Sequence, residues 1–171
     1  LENIAAKLKD RNGAIALKLG FIMVILSIII FTFITVARIY FIFDAAKERA
    51  NEAVLAVAAY NIAEFYGGAR EGDGYARHAL GGNAFGSAVT TEDVLAQMAV
   101  SLDAEPLDDN TLYKEGNYYI RNLNVRYVNT VDGNLNFLTT FTVIIQLSIV
   151  GSQIDGIEKD IQVNTTYAPK F

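Results

Sequence analysis

The hydrophobic pattern divides the chain into three zones. Over 19–37 the sequence reads LGFIMVILSIIIFTFITVA, without a charged residue. As a helix rising ~1.5 Å per residue, that run spans roughly 28 Å, near the ~30 Å hydrocarbon thickness of a bilayer. Its Leu, Ile, Phe and Val each favour insertion by a few tenths of a kcal/mol, which together outweighs Ser27, Thr32 and Thr35. A soluble helix apolar on every side would need more surrounding protein than this chain supplies. The run is therefore expected to be a membrane segment.

Helical character is expected to continue beyond it. Positions 44–66 contain no Pro or Gly and are rich in Ala, the best helix former. Ala46, Ala50, Ala53, Val54, Val57 and Ala58 recur at helical spacing, with Lys47, Glu48, Asn51 and Glu52 on the other side. Asp10, Asn12 and Gly13 form an expected N-cap region, and Gly67-Gly68 an expected stop. Residues 1–66 thus read as one long N-terminal helix. A Gly-rich loop is expected over 67–90, where seven glycines resist regular structure. A small globular domain then fills 91–171.

That domain opens with a short helix, TEDVLAQMAVSL, for which Thr90 or Thr91 is the expected cap; Thr90 with Asp93 has capping-box-like spacing. Val94, Leu95, Met98 and Leu102 form its apolar stripe, and Pro106 is expected to end the region. The last third alternates with period two. Leu135, Phe137, Phe141, Val143, Ile145, Leu147 and Ile149 share one face; Asn136, Thr140, Thr142, Gln146 and Ser148 are expected to face out. Leu123, Val125 and Tyr127 alternate before the hairpin signal Asp132-Gly133. Ile157, Ile161, Val163 and Tyr167 alternate after an expected turn from 151 to 156. The expected fold is α+β: the long helix, apolar in its first half, packs its second half on a small antiparallel three-stranded meander.

Charge sets the orientation. Lys7, Lys9, Arg11 and Lys18 precede the apolar run against Glu2 and Asp10, so the N-terminus is expected in the cytoplasm and the remainder outside. Net charge is −5 and charged residues make up 19%, below the about 25% of average soluble proteins. The negative balance argues against nucleic-acid binding by bulk electrostatics. With no Cys and one His, disulfides, thiolate metal sites, Cys nucleophiles and most imidazole chemistry are excluded. His78 reads as an exposed loop residue. Asp103, Glu105, Asp108, Asp109 and Asn110 lack the EF-hand order and read as a solvated acidic turn in preference to a calcium site. No serine has a convincing partner histidine, and no catalytic, cofactor or metal residue is assigned. Asn164-Thr165-Thr166 is a glycosylation sequon, making Asn164 a possible acceptor.

Arg11-Asn12-Gly13-Ala14-Ile15-Ala16-Leu17, the apolar run behind it and Ala37-Arg38 resemble the N-terminal segments of TadE-like, type IV pilin-like filament subunits. Thr166-Tyr167-Ala168-Pro169 is similar to the Tyr and Pro that close the strands of such subunits. The resemblance implies a non-enzymatic structural subunit of an extracellular pilus-like filament. It would be held in the inner or cytoplasmic membrane as a precursor, then polymerised with identical subunits by pilus-type assembly machinery. Phe21, Ile25, Ile29, Ala46, Ala50, Ala53 and Val57 are the expected subunit-packing positions, small residues allowing close helix approach. The other class in play is a single-pass membrane protein whose exported domain binds a ligand or partner.

Overall fold

The computed structural model describes residues 11–71, 89–115, 118–131, 134–149 and 152–168. Among the described residues, two helices, α1 (Arg11–Glu71) and α2 (Thr91–Leu102), precede five strands: β1 (Glu105–Asp108), β2 (Thr111–Lys114), β3 (Tyr118–Val131), β4 (Asn134–Ile149) and β5 (Ser152–Tyr167). The fold is α+β, with one long N-terminal helix and an antiparallel sheet in the order β1-β2-β3-β4-β5. The chain divides into two compact units, Leu1–Ile42 and Phe43–Phe171.

Gly67 and Gly68 do not end α1, which continues to Glu71. Glycine inside a helix costs about 1 kcal/mol relative to Ala, a penalty the preceding Ala-rich turns can carry. The Gly-rich zone accordingly begins inside the helix; positions 72–88, including His78, lie outside the described residues.

Within Phe43–Phe171 the α1 residues Phe43, Ala46, Ala50, Ala53, Val54, Val57 and Ala58 are buried, a stripe at three- and four-residue spacing. It lies against one face of the sheet. Thr165 Oγ1 donates to Asn51 Oδ1 at 2.8 Å, and the Lys159 ammonium sits 4.9 Å from the Phe43 ring centroid. The register puts Phe141 opposite Ile161, Thr139 between Val125 and Val163, and Phe137 between Tyr127 and Thr165. These rows alternate as the sequence pattern predicts: Leu135, Phe137, Phe141, Val143 and Ile145 are buried on the odd-numbered face of β4. The side chains of Leu147 and Ile149 lie outside the described residues.

Helix α2 covers the β1–β3 side of the sheet. Thr90 is its cap: its hydroxyl accepts from Asp93 N at 3.1 Å and donates to Asp93 Oδ2 at 2.6 Å. Val94, Leu95, Met98 and Ala99 form the buried stripe. The helix ends at Leu102, as the sequence expects, with Asp103 as its C-cap. Asp103 adopts the left-handed conformation (φ 51°), and Ala104 N–H returns to Ala99 O at 3.0 Å. Pro106 is instead a β1 residue, on an edge strand where its missing N–H breaks no interior ladder.

The sheet has two more strands than the alternation predicts. β1 and β2 form a hairpin around Asp109-Asn110, so much of the acidic segment is strand. β3 starts at Tyr118, ahead of the expected Leu123, because its inward parity switches within the strand. Tyr118 and Ile120 are buried; after Asn122 (φ 56°), the next buried residue is Leu123. Asn122 and Leu123 together oppose one β4 position, a β-bulge. The amides it frees are satisfied from outside the ladder: Leu123 N–H donates to Asn110 O and Val125 N–H to Thr91 Oγ1, each at 3.1 Å. Asn suits the left-handed position because its short side chain tolerates positive φ. On the other side of β4, Ile145 pairs with Ile157 but Gln146 with Asp155, which leaves Gly156 as an extra residue in β5. The expected turn over 151–156 is therefore shorter, and most of it belongs to the strand.

Thr142 also departs from expectation. It lies on the other face of β4 but is only 7% exposed, and its hydroxyl donates to Asp160 Oδ1 at 2.7 Å. A central strand shields both of its faces, since neighbours on each side close over small side chains. Thr139, on the helix-covered face, is fully buried with no hydrogen-bond partner for Oγ1.

Three substitutions check this core. Phe141→Ala is expected to lower unfolding free energy by about 3–5 kcal/mol, as for large aromatic truncations. Thr142→Ala should cost about 1 kcal/mol, through its hydrogen bond. Thr139→Val should stabilise by up to about 1 kcal/mol, because a near-isosteric methyl replaces an unsatisfied hydroxyl. Denaturant unfolding of each variant measures all three; a destabilising Thr139→Val would mean its hydroxyl is paired.

Candidate functional site

The feature that sets this chain apart is a length of helix whose apolar side chains are exposed and covered by no other described element. Leu19, Phe21, Ile22, Met23, Val24, Ile25, Leu26 and the Ile, Phe and Val side chains that follow are exposed all round α1. A Cβ added at Gly20 would meet no atom within 4 Å. By length and composition, α1 contains one segment able to cross a membrane, in a window of which none is buried. Exposed hydrophobes scattered singly are ordinary, but a continuous sleeve of this length is far larger than the patches monomers tolerate in water.

The segment's polar atoms are internally satisfied. Ser27 Oγ donates to Met23 O at 2.8 Å, Thr32 Oγ1 to Ile28 O at 2.8 Å and Thr35 Oγ1 to Phe31 O at 2.9 Å. Each hydroxyl bonds the carbonyl four residues back, so none presents a free donor to an apolar neighbour. This is how three hydroxyl residues can sit in a run that water is to leave.

The sleeve ends abruptly. Phe41 is 75% exposed and Ile42 is 8% exposed. The seven expected packing positions fall on both sides of that step. Phe21, Ile25 and Ile29 are exposed at 67%, 47% and 59%. Ala46, Ala50, Ala53 and Val57 are instead buried within Phe43–Phe171, so the small-residue stripe is spent on the chain's own core and is not free to receive a second subunit. The alternation of small and polar residues could not distinguish those two partners, because a sheet face and a neighbouring helix ask for the same stripe.

The acidic segment is dispersed by the structure. The Asp103 carboxylate accepts from Lys114 Nζ at 2.6 Å, and the same ammonium donates to Asp103 O at 2.6 Å. This hydrogen bond, with the charge of Lys114, holds the Asp103 carboxyl below the usual carboxylate range. Asp108 is held low by the Asn110 amide, which donates to Oδ1 at 3.0 Å, and by the Thr111 hydroxyl, with a smaller contribution from Arg121. Asp103 and Asp108 thus each have a structural partner of their own. Among the described residues no three His, Cys, Asp or Glu side chains converge in a way that could hold a metal ion. Asn164 is exposed on β5, while the hydroxyls of Thr165 and Thr166 are engaged by Asn51 and Asn136.

Two surface features escape the sequence pattern. On the sheet face away from α1, Tyr113 and Tyr119 stack at 4.8 Å, with the Arg121 guanidinium 5.2 Å from the Tyr119 ring centroid. Their strands were not legible as a pair, so neither was the stack. A cleft of about 590 Å³ runs between α1 and β5, lined by Asp44, Lys47, Glu48, Asn51, Gln162, Val163 and Asn164. Comparison with protein-family models, curated proteins and solved structures finds no match.

The Asp103–Lys114 pair makes a pH-dependent contribution to the end of α2. A carboxyl with a lowered folded-state pKa adds stability that is present above its unfolded pKa and lost as pH falls through the folded one. In an NMR titration, the Asp103 midpoint should lie below that of an exposed aspartate and rise in Lys114→Met. Asp103→Asn keeps a residue that tolerates positive φ and should flatten the acid dependence at neutral-pH fold intact.

Proposed function

We propose that the chain is a structural subunit of an extracellular, pilin-like filament that polymerises through the apolar half of α1. A single observation carries the reading: an apolar helical sleeve covered by no other described element precedes a unit that already buries its own alanine face. Before assembly the sleeve resides in the inner or cytoplasmic membrane, with the basic N-terminal flank inside. Pilus-type machinery then moves it into a core where copies replace lipid. The free packing positions are Phe21, Ile25 and Ile29. The small sheet-bearing domain lies on the outside and needs no cofactor or active site for this role.

The burial of Ala46, Ala50 and Ala53 inside the same chain favours one other reading, a single-pass anchor for an exported binding domain, since it removes those residues from intersubunit packing. The two readings differ in what truncating the sleeve does. Phe21, Ile25 and Ile29 have high exposure, so Phe21→Ala with Ile29→Ala should leave unfolding of the chain in detergent within about 0.5 kcal/mol of the parent. In a filament core the same truncations remove buried contacts, each typically worth more than about 1 kcal/mol at an interface centre. Cells producing the double variant at parental levels should show a several-fold loss of surface filaments by electron microscopy. A reporter fused after Phe171 should be active only outside the cytoplasm in parent and variant alike. A parent that stays monomeric in detergent and never forms filaments would replace the polymer with the anchor.

A further inference from the structure

Lys18 stands immediately before the charge-free apolar run. Within 13–37, Lys18 is the single ionisable side chain; it is exposed and forms no ion pair with a described residue. In a membrane its ammonium can reach the headgroups at the sleeve's N-terminal end. In a filament that exit closes, because neighbouring helices cover the sleeve. An ammonium taken out of water without a partner is strongly unfavourable, so a stable packing brings a carboxylate to it.

Carboxylates on α1 begin immediately beyond the sleeve. Asp44 is exposed, and Glu48, one turn later, is exposed beside it. Neither forms an ion pair with a described residue, whereas the next acid, Glu52, is held by Arg49 at 2.6 Å. Asp44 and Glu48 line the cleft beside β5, where Gln162 and Asn164 add amide groups that can also accept from an ammonium. Lys47 shares that cleft, so the lining carries two negative charges and one positive, and a single added cation balances it. The unpartnered helix and the cleft therefore complement each other in charge, and on one chain they lie at opposite ends of the apolar sleeve.

Resting on the filament reading, we propose that the sleeve docks on a second copy of this chain in one register, with Lys18 of each subunit entering the Asp44–Glu48 cleft of the next. Each copy then uses its Lys18 end on one neighbour and its cleft on another. Such a heterologous contact does not close on itself in a pair and propagates as an open array. The pair selects the register that the apolar side chains leave open, because dispersion contacts between Leu, Ile and Phe stripes are similar at many axial offsets.

The absence of cysteine makes the register directly testable. In the full chain assembled on cells, Leu17→Cys combined with Gln162→Cys, which leaves Lys18, Asp44 and Glu48 in place, should give, with a short bis-maleimide, a ladder of dimers, trimers and higher species; either single variant should give none. Charge reversal supplies the second arm. Lys18→Glu and Asp44→Lys should each reduce filaments several-fold, and the two together should restore them towards the parental level, while Lys18→Arg remains near parental. A purely topological role for Lys18 predicts that Lys18→Glu misinserts and that Asp44→Lys does not rescue it, which overturns the proposal. Filaments that form but crosslink only through other pairs, such as Phe21→Cys with Ile29→Cys, overturn the register and leave the filament standing. A chain that never polymerises overturns the filament reading itself.

Discussion

Everything in the sheet-bearing unit depends on one contact surface, the meeting of a small-residue helix stripe with a large-residue sheet face. Phe141 is buried near the middle of the longest strand pair and Phe137 towards one end of it, and across the face the helix contributes Ala46, Ala50 and Ala53. Small residues on one side allow large ones on the other to fill the interlayer without voids, the condition for interior packing density. The polar bond from Thr165 to Asn51 fixes which turn of the helix meets which strand position, since apolar contacts alone would permit sliding. The Lys159 ammonium over Phe43 closes the same surface at its rim.

The same helix obeys the opposite rule before Ile42. There large apolar residues project on every side, and no described residue outside the helix covers them. The contrast is one of composition, not of helix formation: the backbone is α-helical through both stretches. Hydroxyls folded back onto the preceding turn keep the first stretch free of unmet hydrogen-bonding demands, so its covering can be lipid or protein without rearrangement.

The long helix, the capped α2 and the buried face of β4 were legible because each rests on a local period or a local cap. Thr90 and Asp93 state a helix start by themselves, and Phe137, Phe141, Val143 and Ile145 state a face by alternation. What was not legible depends on partners distant in sequence. β1 and β2 are four residues each and become strands by pairing, which no local pattern announces. Thr142 looks polar and outward until the strands on both sides of β4 are known. The inward parity of β3 changes at Asn122, so strict alternation finds only the part beyond it. The candidate site was half legible: the exposed run is a matter of composition, but assigning the alanines to a sheet or to a neighbour required the fold.

The bulges give the sheet a division of labour. β4 has no extra residue against either neighbour, while β3 carries one at Asn122-Leu123 and another near Val128, and β5 carries Gly156. The central strand is therefore the ruler along which the others are counted, with slack confined to its flanks. In descendants or relatives of this chain, single-residue insertions and deletions should be filtered accordingly. One placed at Gly156 or at Asn122 can be absorbed by ironing out a bulge. One within 135–145 would turn the buried row outward on one side of the break. An alignment that distributes gaps evenly across the three long strands would then misread the history of the domain, whereas one that keeps β4 unbroken would follow it.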